Sequence, residues 1–161
     1  MSLECFSIRL KEMMKSENLS KRAFAAKIGA QRKSLLNWLN GMYYPRYDAL
    51  IKIADYFKVS IDFLVGRTRN TYQEYESLIP LDHVPETFRL KLNRYMAEMK
   101  ITKYRLAKSL GVGQTTLSRW FTVGGMPEIS ILIKIASLMD ESIDFLLGRE
   151  AKKILLRYSN G

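Results

Sequence analysis

The sequence predicts an all-α chain made of two tandem five-helix domains, and three observations carry that expectation. The chain repeats itself: sliding Phe6 onto Phe88, an offset of 82, aligns residues 6–67 with 88–149 without a gap, and 21 of the 62 aligned positions are identical. Apolar residues recur at helical spacing in both copies, and no segment alternates convincingly like a strand. Capping residues and glycines punctuate those periodic stretches at matching places. A repeat this long is a domain, so each copy has to close its own core. The expected organisation is a first domain over 1–67, a linker over 68–87, a second domain over 88–149 and a tail over 150–161.

Within a copy the elements follow in order. Phe6, Leu10, Met13 and Met14, matched by Phe88, Leu92, Tyr95 and Met96, give an amphipathic first helix. Ser20 and Thr102 are N-caps of short second helices over 21–28 and 103–110, which end at Gly29 and Gly111, where glycine takes the left-handed conformation. Third helices over 31–39 and 113–121 place Leu35 with Trp38, and Leu117 with Trp120, on one face; small Ala25 and Ala107 let the second and third helices approach. Pro45 and Pro127 suit a loop or the first turn of a fourth helix carrying Leu50, Ile53 and Ala54. Ser60 and Ser142 cap a fifth helix ending at Gly66 and Gly148. The linker is acidic, with room for a short helix over Tyr72 to Ile79 packed between the copies, and the tail from Lys152 to Arg157 is read as an extension of the last helix.

Composition narrows the function. The 161 residues carry 26 basic and 16 acidic side chains, a net charge of +10 that favours an acidic partner, and 47% hydrophobic residues exclude a disordered chain. One cysteine and one histidine are too few for a zinc site or Cys/His catalysis, so neither cofactor, metal nor enzymatic activity is expected. No apolar run reaches membrane-spanning length and the N-terminus lacks a secretory pattern, which points to a soluble cytoplasmic protein. The positive charge is local. Residues 18–37 hold Lys21, Arg22, Lys27, Arg32 and Lys33 without an acid; residues 100–119 hold Lys100, Lys103, Arg105, Lys108 and Arg119, again without one. Paired helices with a glycine turn and a basic, polar second helix suit a helix-turn-helix, in which phosphate contacts set the register and polar side chains read base edges.

The first copy carries Leu19-Ser20, Ala25, Ile28-Gly29, Leu35, Trp38-Leu39-Asn40-Gly41, Pro45 and the run from Asp55 to Arg67; the second carries Gly111-Val112-Gly113-Gln114-Thr115. On these residues the chain resembles, twice over, the phage-repressor-like (Cro/XRE-type) helix-turn-helix family with its lambda-repressor-like domains. The resemblance implies double-stranded DNA as partner, with Gln31, Arg32, Lys33 and Asn37, then Gln114, Thr115, Ser118 and Arg119, facing the bases; Gln suits adenine and Arg guanine. It implies phosphate contacts for Lys21 and Lys103, which stand where the family usually has glutamine, and for Arg22, Asn40, Tyr43 and Thr122. The second copy departs from the family pattern at Val123, where a loop glycine is common.

Blander roles compete for some of these residues. Trp38 and Trp120 are read as core because their spacing from Leu35 and Leu117 points inward. For Tyr43 and Tyr44, phosphate contact and loop packing are both open. Cys5 and the methionines are read as filler, and His83 as an exposed linker residue. The expectation that results is a sequence-specific transcriptional regulator whose two unlike copies act as a covalent pseudo-dimer on an asymmetric operator, touching through their fifth helices as single copies of the family commonly do. Twenty linker residues can reach half-sites about 34 Å apart. The alternatives are a homodimer of the whole chain through the fifth helices, and a protein-interaction adaptor or antitoxin-like protein in which a copy no longer reads DNA. With no room for a ligand-binding domain, control is expected from abundance, proteolysis or a regulatory protein partner.

Overall fold

The structure, a computed structural model, describes residues 3–71 and 74–152. Five helices make the first copy: α1 (Leu3–Ser16), α2 (Lys21–Ile28), α3 (Arg32–Leu39), α4 (Tyr47–Phe57) and α5 (Ile61–Leu64). The second repeats them as α6 (Val84–Glu98), α7 (Lys103–Leu110), α8 (Gln114–Arg119), α9 (Ile129–Met139) and α10 (Ile143–Leu146). The caps sit where the sequence places them. Ser20 accepts from Ala23 N–H, Thr102 from Arg105 N–H, Ser60 from Phe63 N–H and Ser142 from Phe145 N–H. Left-handed residues come in repeat-related pairs as well: Gly29 with Gly111, Asn18 with Lys100, and Lys58 with Asp140. Pro45 and Pro127 lie buried in the loops before α4 and α9 rather than in their first turns. The helix α6 starts at Val84, with Pro85 in its first turn where the missing N–H costs nothing.

Phe6, Leu10, Leu35, Leu50 and Ile61 are sealed in the first core, and their counterparts Phe88, Leu92, Leu117, Leu132 and Ile143 in the second. The two cores join in one apolar cluster. At the junction α5 meets α10, and each helix start is capped by the other copy. Asp62 Oδ2 accepts from Ile143 N–H at 2.8 Å; Asp144 accepts from Ile61 N–H with Oδ1 at 3.0 Å and Oδ2 at 2.9 Å. The first N–H groups of a helix have no partner within it, so the exchanged carboxylates satisfy donors that would otherwise be buried unpaired. Arg67 pairs with Asp62 and donates to Glu141 O at 3.0 Å; Arg149 pairs with Asp144 and donates to Val59 O at 3.1 Å. Every member of one set maps on the other under the 82-residue offset, so the contact is two-fold symmetric within one chain.

One expectation fails here. The short helix of the linker is not over Tyr72 to Ile79 but later, a 3-10 turn at Leu81–His83: among the described residues, Tyr75–Ser77 is a strand, β1, pairing antiparallel with a second strand, β2, at Arg149–Ala151, in the register Tyr75↔Ala151. The last helix ends at Leu146, before Gly148 at φ +72, and Arg149–Ala151 follows as strand. Residues 72–73 and 153–161 lie outside the described residues, and the tail expected to extend the last helix from Lys152 to Arg157 lies, past Lys152, among them. The physical reason is that the tail leaving α10 presents an edge that β1 completes; Leu78 N–H donates to Gly148 O at 3.0 Å and Lys152 N–H to Glu74 O at 2.8 Å. A salt bridge of 3.0 Å from Asp55 to the Nε of Arg149 adds to the asymmetry, because the residue equivalent to Asp55 is Ser137.

Candidate nucleic-acid interface

Lys21 opens α2 and Lys103 opens α7, and each helix leaves through a glycine whose N–H bonds back to the helix end. The chain then re-enters as α3 or α8. Ala25 and Ala107 are buried between the paired helices, so the close approach rests on their single methyl groups. Leu35, Trp38, Leu117 and Trp120 face inward, Trp38 at 5% and Trp120 at 3% exposure. The opposite faces carry Gln31, Arg32 and Lys33 in the first copy and Gln114, Thr115, Ser118 and Arg119 in the second, all exposed. Asn37 is half-buried, and its Nδ2 donates to the Tyr43 hydroxyl at 3.0 Å. Lys21, Arg22, Asn40, Tyr43, Lys103 and Thr122 are exposed too. Each copy thus sets polar and cationic side chains around one helical pair, an arrangement with donors for phosphate and for base edges.

The copies differ around their third helices. In the first, α3 runs to Leu39 and Gly41 takes the left-handed turn at φ +65. In the second, α8 stops at Arg119 and Val123, the equivalent of Gly41, stands 96% exposed, while Gly124 makes the turn at φ +74. The chain then passes so close to α8 that a Cβ on Gly125 would lie 1.8 Å from Arg119 O. The Lys103 ammonium rests 4.2 Å from the centroid of the Phe121 ring, and Thr122 Oγ1 donates to Arg119 O at 2.6 Å. Tyr44 packs its ring 5.6 Å from that of Phe6, and burial raises the pKa of its hydroxyl, with Cys5 adding to the effect. That favours packing for Tyr44, whereas Tyr43 stays on the exposed side.

Sequence reasoning passed over two features. Between the copies lies a cleft of about 680 Å³, walled by Tyr43 to Tyr47 on one side and Met126 to Ser130 on the other, with Arg46 and Glu128 at equivalent positions. The reversal of charge between aligned residues was its only signal. The second is the carboxylate exchange between α5 and α10. Asp144 is fully buried and its pKa is raised to about 7, by burial first and then by Asp62 within hydrogen-bonding range, against the opposing pull of Arg149 and the Ile61 N–H.

Comparison with known proteins bears on the paired helices directly. A helix-turn-helix family model matches the chain twice, over residues 10–64 and 92–146, together more than half its length. The first match runs from within α1 to the end of α5 and the second from within α6 to the end of α10. No curated protein and no solved structure matches the chain. No described helix is long and apolar enough to cross a membrane.

Proposed function

The chain belongs to the Cro/C1-type helix-turn-helix family, and on that footing we propose that it is a sequence-specific double-stranded DNA-binding transcriptional regulator whose two copies act as a pseudo-dimer on an asymmetric operator. The observation that carries this reading is the reciprocal capping of α5 by Asp144 and of α10 by Asp62, because it joins the two copies through equivalent contacts within one chain, as a pseudo-dimer requires. Family members that read DNA as dimers need a second molecule for such an axis; covalent linkage raises the effective concentration of the second copy instead. The first copy offers Arg32 and Lys33 to bases, the second Gln114 and Arg119, so the two half-sites should differ. Lys21, Arg22, Asn40, Tyr43 and Lys103 supply the phosphate contacts that hold the register, and Thr122 joins them by turning its hydroxyl away from Arg119 O.

Selection of bound duplexes from a random pool tests this. The expected product is one site of two dissimilar halves about one helical turn apart. Arg32→Ala or Gln114→Ala should each cost about 1 to 3 kcal/mol at that site and relax the preference in one half only, whereas Lys21→Ala should weaken all sequences alike. A pool that returns no preferred sequence, or a variant that leaves the selected site unaltered, counts against the reading.

A further inference from the structure

Aligned positions in the two copies carry opposite charge at the place where the copies face each other. Arg46 immediately precedes α4 and Glu128 immediately precedes α9; neither side chain caps its helix, both are exposed, and both line the central cleft. We infer that this pair divides the labour of DNA binding: Arg46 makes the first copy the anchoring half by contacting backbone phosphate, while Glu128 repels phosphate at the corresponding place and holds the second copy back. The inference rests on the function proposed above and assigns these two residues a part in it.

The cleft borders the exposed face of α3: Tyr43, whose hydroxyl accepts from Asn37 of that helix, lines it together with Arg46, so a phosphate backbone held at Tyr43 passes beside the guanidinium. The Arg46 side chain is 80% exposed, its contact to the exposed Asp48 is long, at 3.7 Å, and its guanidinium carbon stands 5.9 Å from the Tyr47 ring centroid, the outer limit of a cation–π contact, so the guanidinium stays available. A carboxylate in the same place meets a phosphate as a like charge, and its cost falls with salt. Other differences lean the same way. Lys103 lies over Phe121, whereas Leu39 stands in the ring's place in the first copy; Thr122 has spent its hydroxyl hydrogen on Arg119 O. The windows that contain the helical pairs, residues 18–37 and 100–119, hold five basic residues each, so the imbalance lies outside them.

The test is binding of the full chain to a mixed-sequence 30-base-pair duplex at several salt concentrations. Glu128→Arg should tighten binding about tenfold at moderate salt and steepen the dependence of log K on log salt by about one; Arg46→Glu should do the reverse. Glu150→Arg, the same change of net charge on β2, which does not line the cleft, is the control for bulk charge. Glu128→Gln should give part of the gain, with helical content unchanged. A Glu128→Arg effect no larger than that of Glu150→Arg, or an Arg46→Glu variant with the original slope, overturns the division of labour while leaving the regulator reading intact. A chain that binds no duplex at any salt concentration overturns both.

Discussion

Asp144 does more than its place in the sequence suggests. An aspartate at the second position of a helix ordinarily complements that helix's own dipole, and the repeated Ser-Ile-Asp-Phe-Leu reads that way twice. In the fold its carboxylate reaches across to Ile61 N–H, beside Asp62 and the buried Arg149. A lone sequence shows the acid and the arginine five residues on, but which helix start they serve depends on tertiary placement. The shift has a consequence for stability. The folded value of about 7 lies above the ordinary 3.8, so the native chain keeps a proton that the unfolded chain releases. Stability therefore falls as pH rises from about 4, and levels off above about 7. The melting temperature should drop by a few degrees between about pH 5.5 and 8, and Asp144→Asn should flatten that slope. An identical slope in the variant would remove Asp144 as its source.

Elements bounded by local chemistry were legible, and those made by pairing were not. Ser20 with Gly29, and Thr102 with Gly111, fix α2 and α7 to the residue, because a side-chain cap and a left-handed glycine act within one turn. β1 and β2 have three residues each, too few for alternation to show, and each exists only against the other. The early end of α8 was hidden as well. It depends on the chain crossing back at Gly125, where no side chain fits against Arg119 O. Gly125→Ala should cost about 1 to 3 kcal/mol in urea unfolding by displacing the end of α8, while Val123→Ala, at a side chain that touches almost nothing, should stay within about 0.5. Equal effects at the two positions would contradict this account of the loop.

Across the whole molecule, the repeat and the helix-turn-helix pairs could be read from sequence because identities spaced by 82 residues survive in every helix. The exposed faces of α3 and α8 followed from the inward positions of Trp38 and Trp120. The character of the linker did not follow. Its length allows a tether, yet Tyr75 to Ser77 docks against β2, and Ser77 Oγ donates to Asp55 at 2.7 Å, so part of it belongs to the folded body. With α5 and α10 occupied by each other, the face through which single copies of the family commonly pair is already filled within one chain. That makes stoichiometry the sharpest question. Sedimentation of the purified chain with a duplex bearing one selected site should give one chain per duplex, bound as a monomer on an asymmetric sequence; two chains on a palindromic site would contradict the pseudo-dimer.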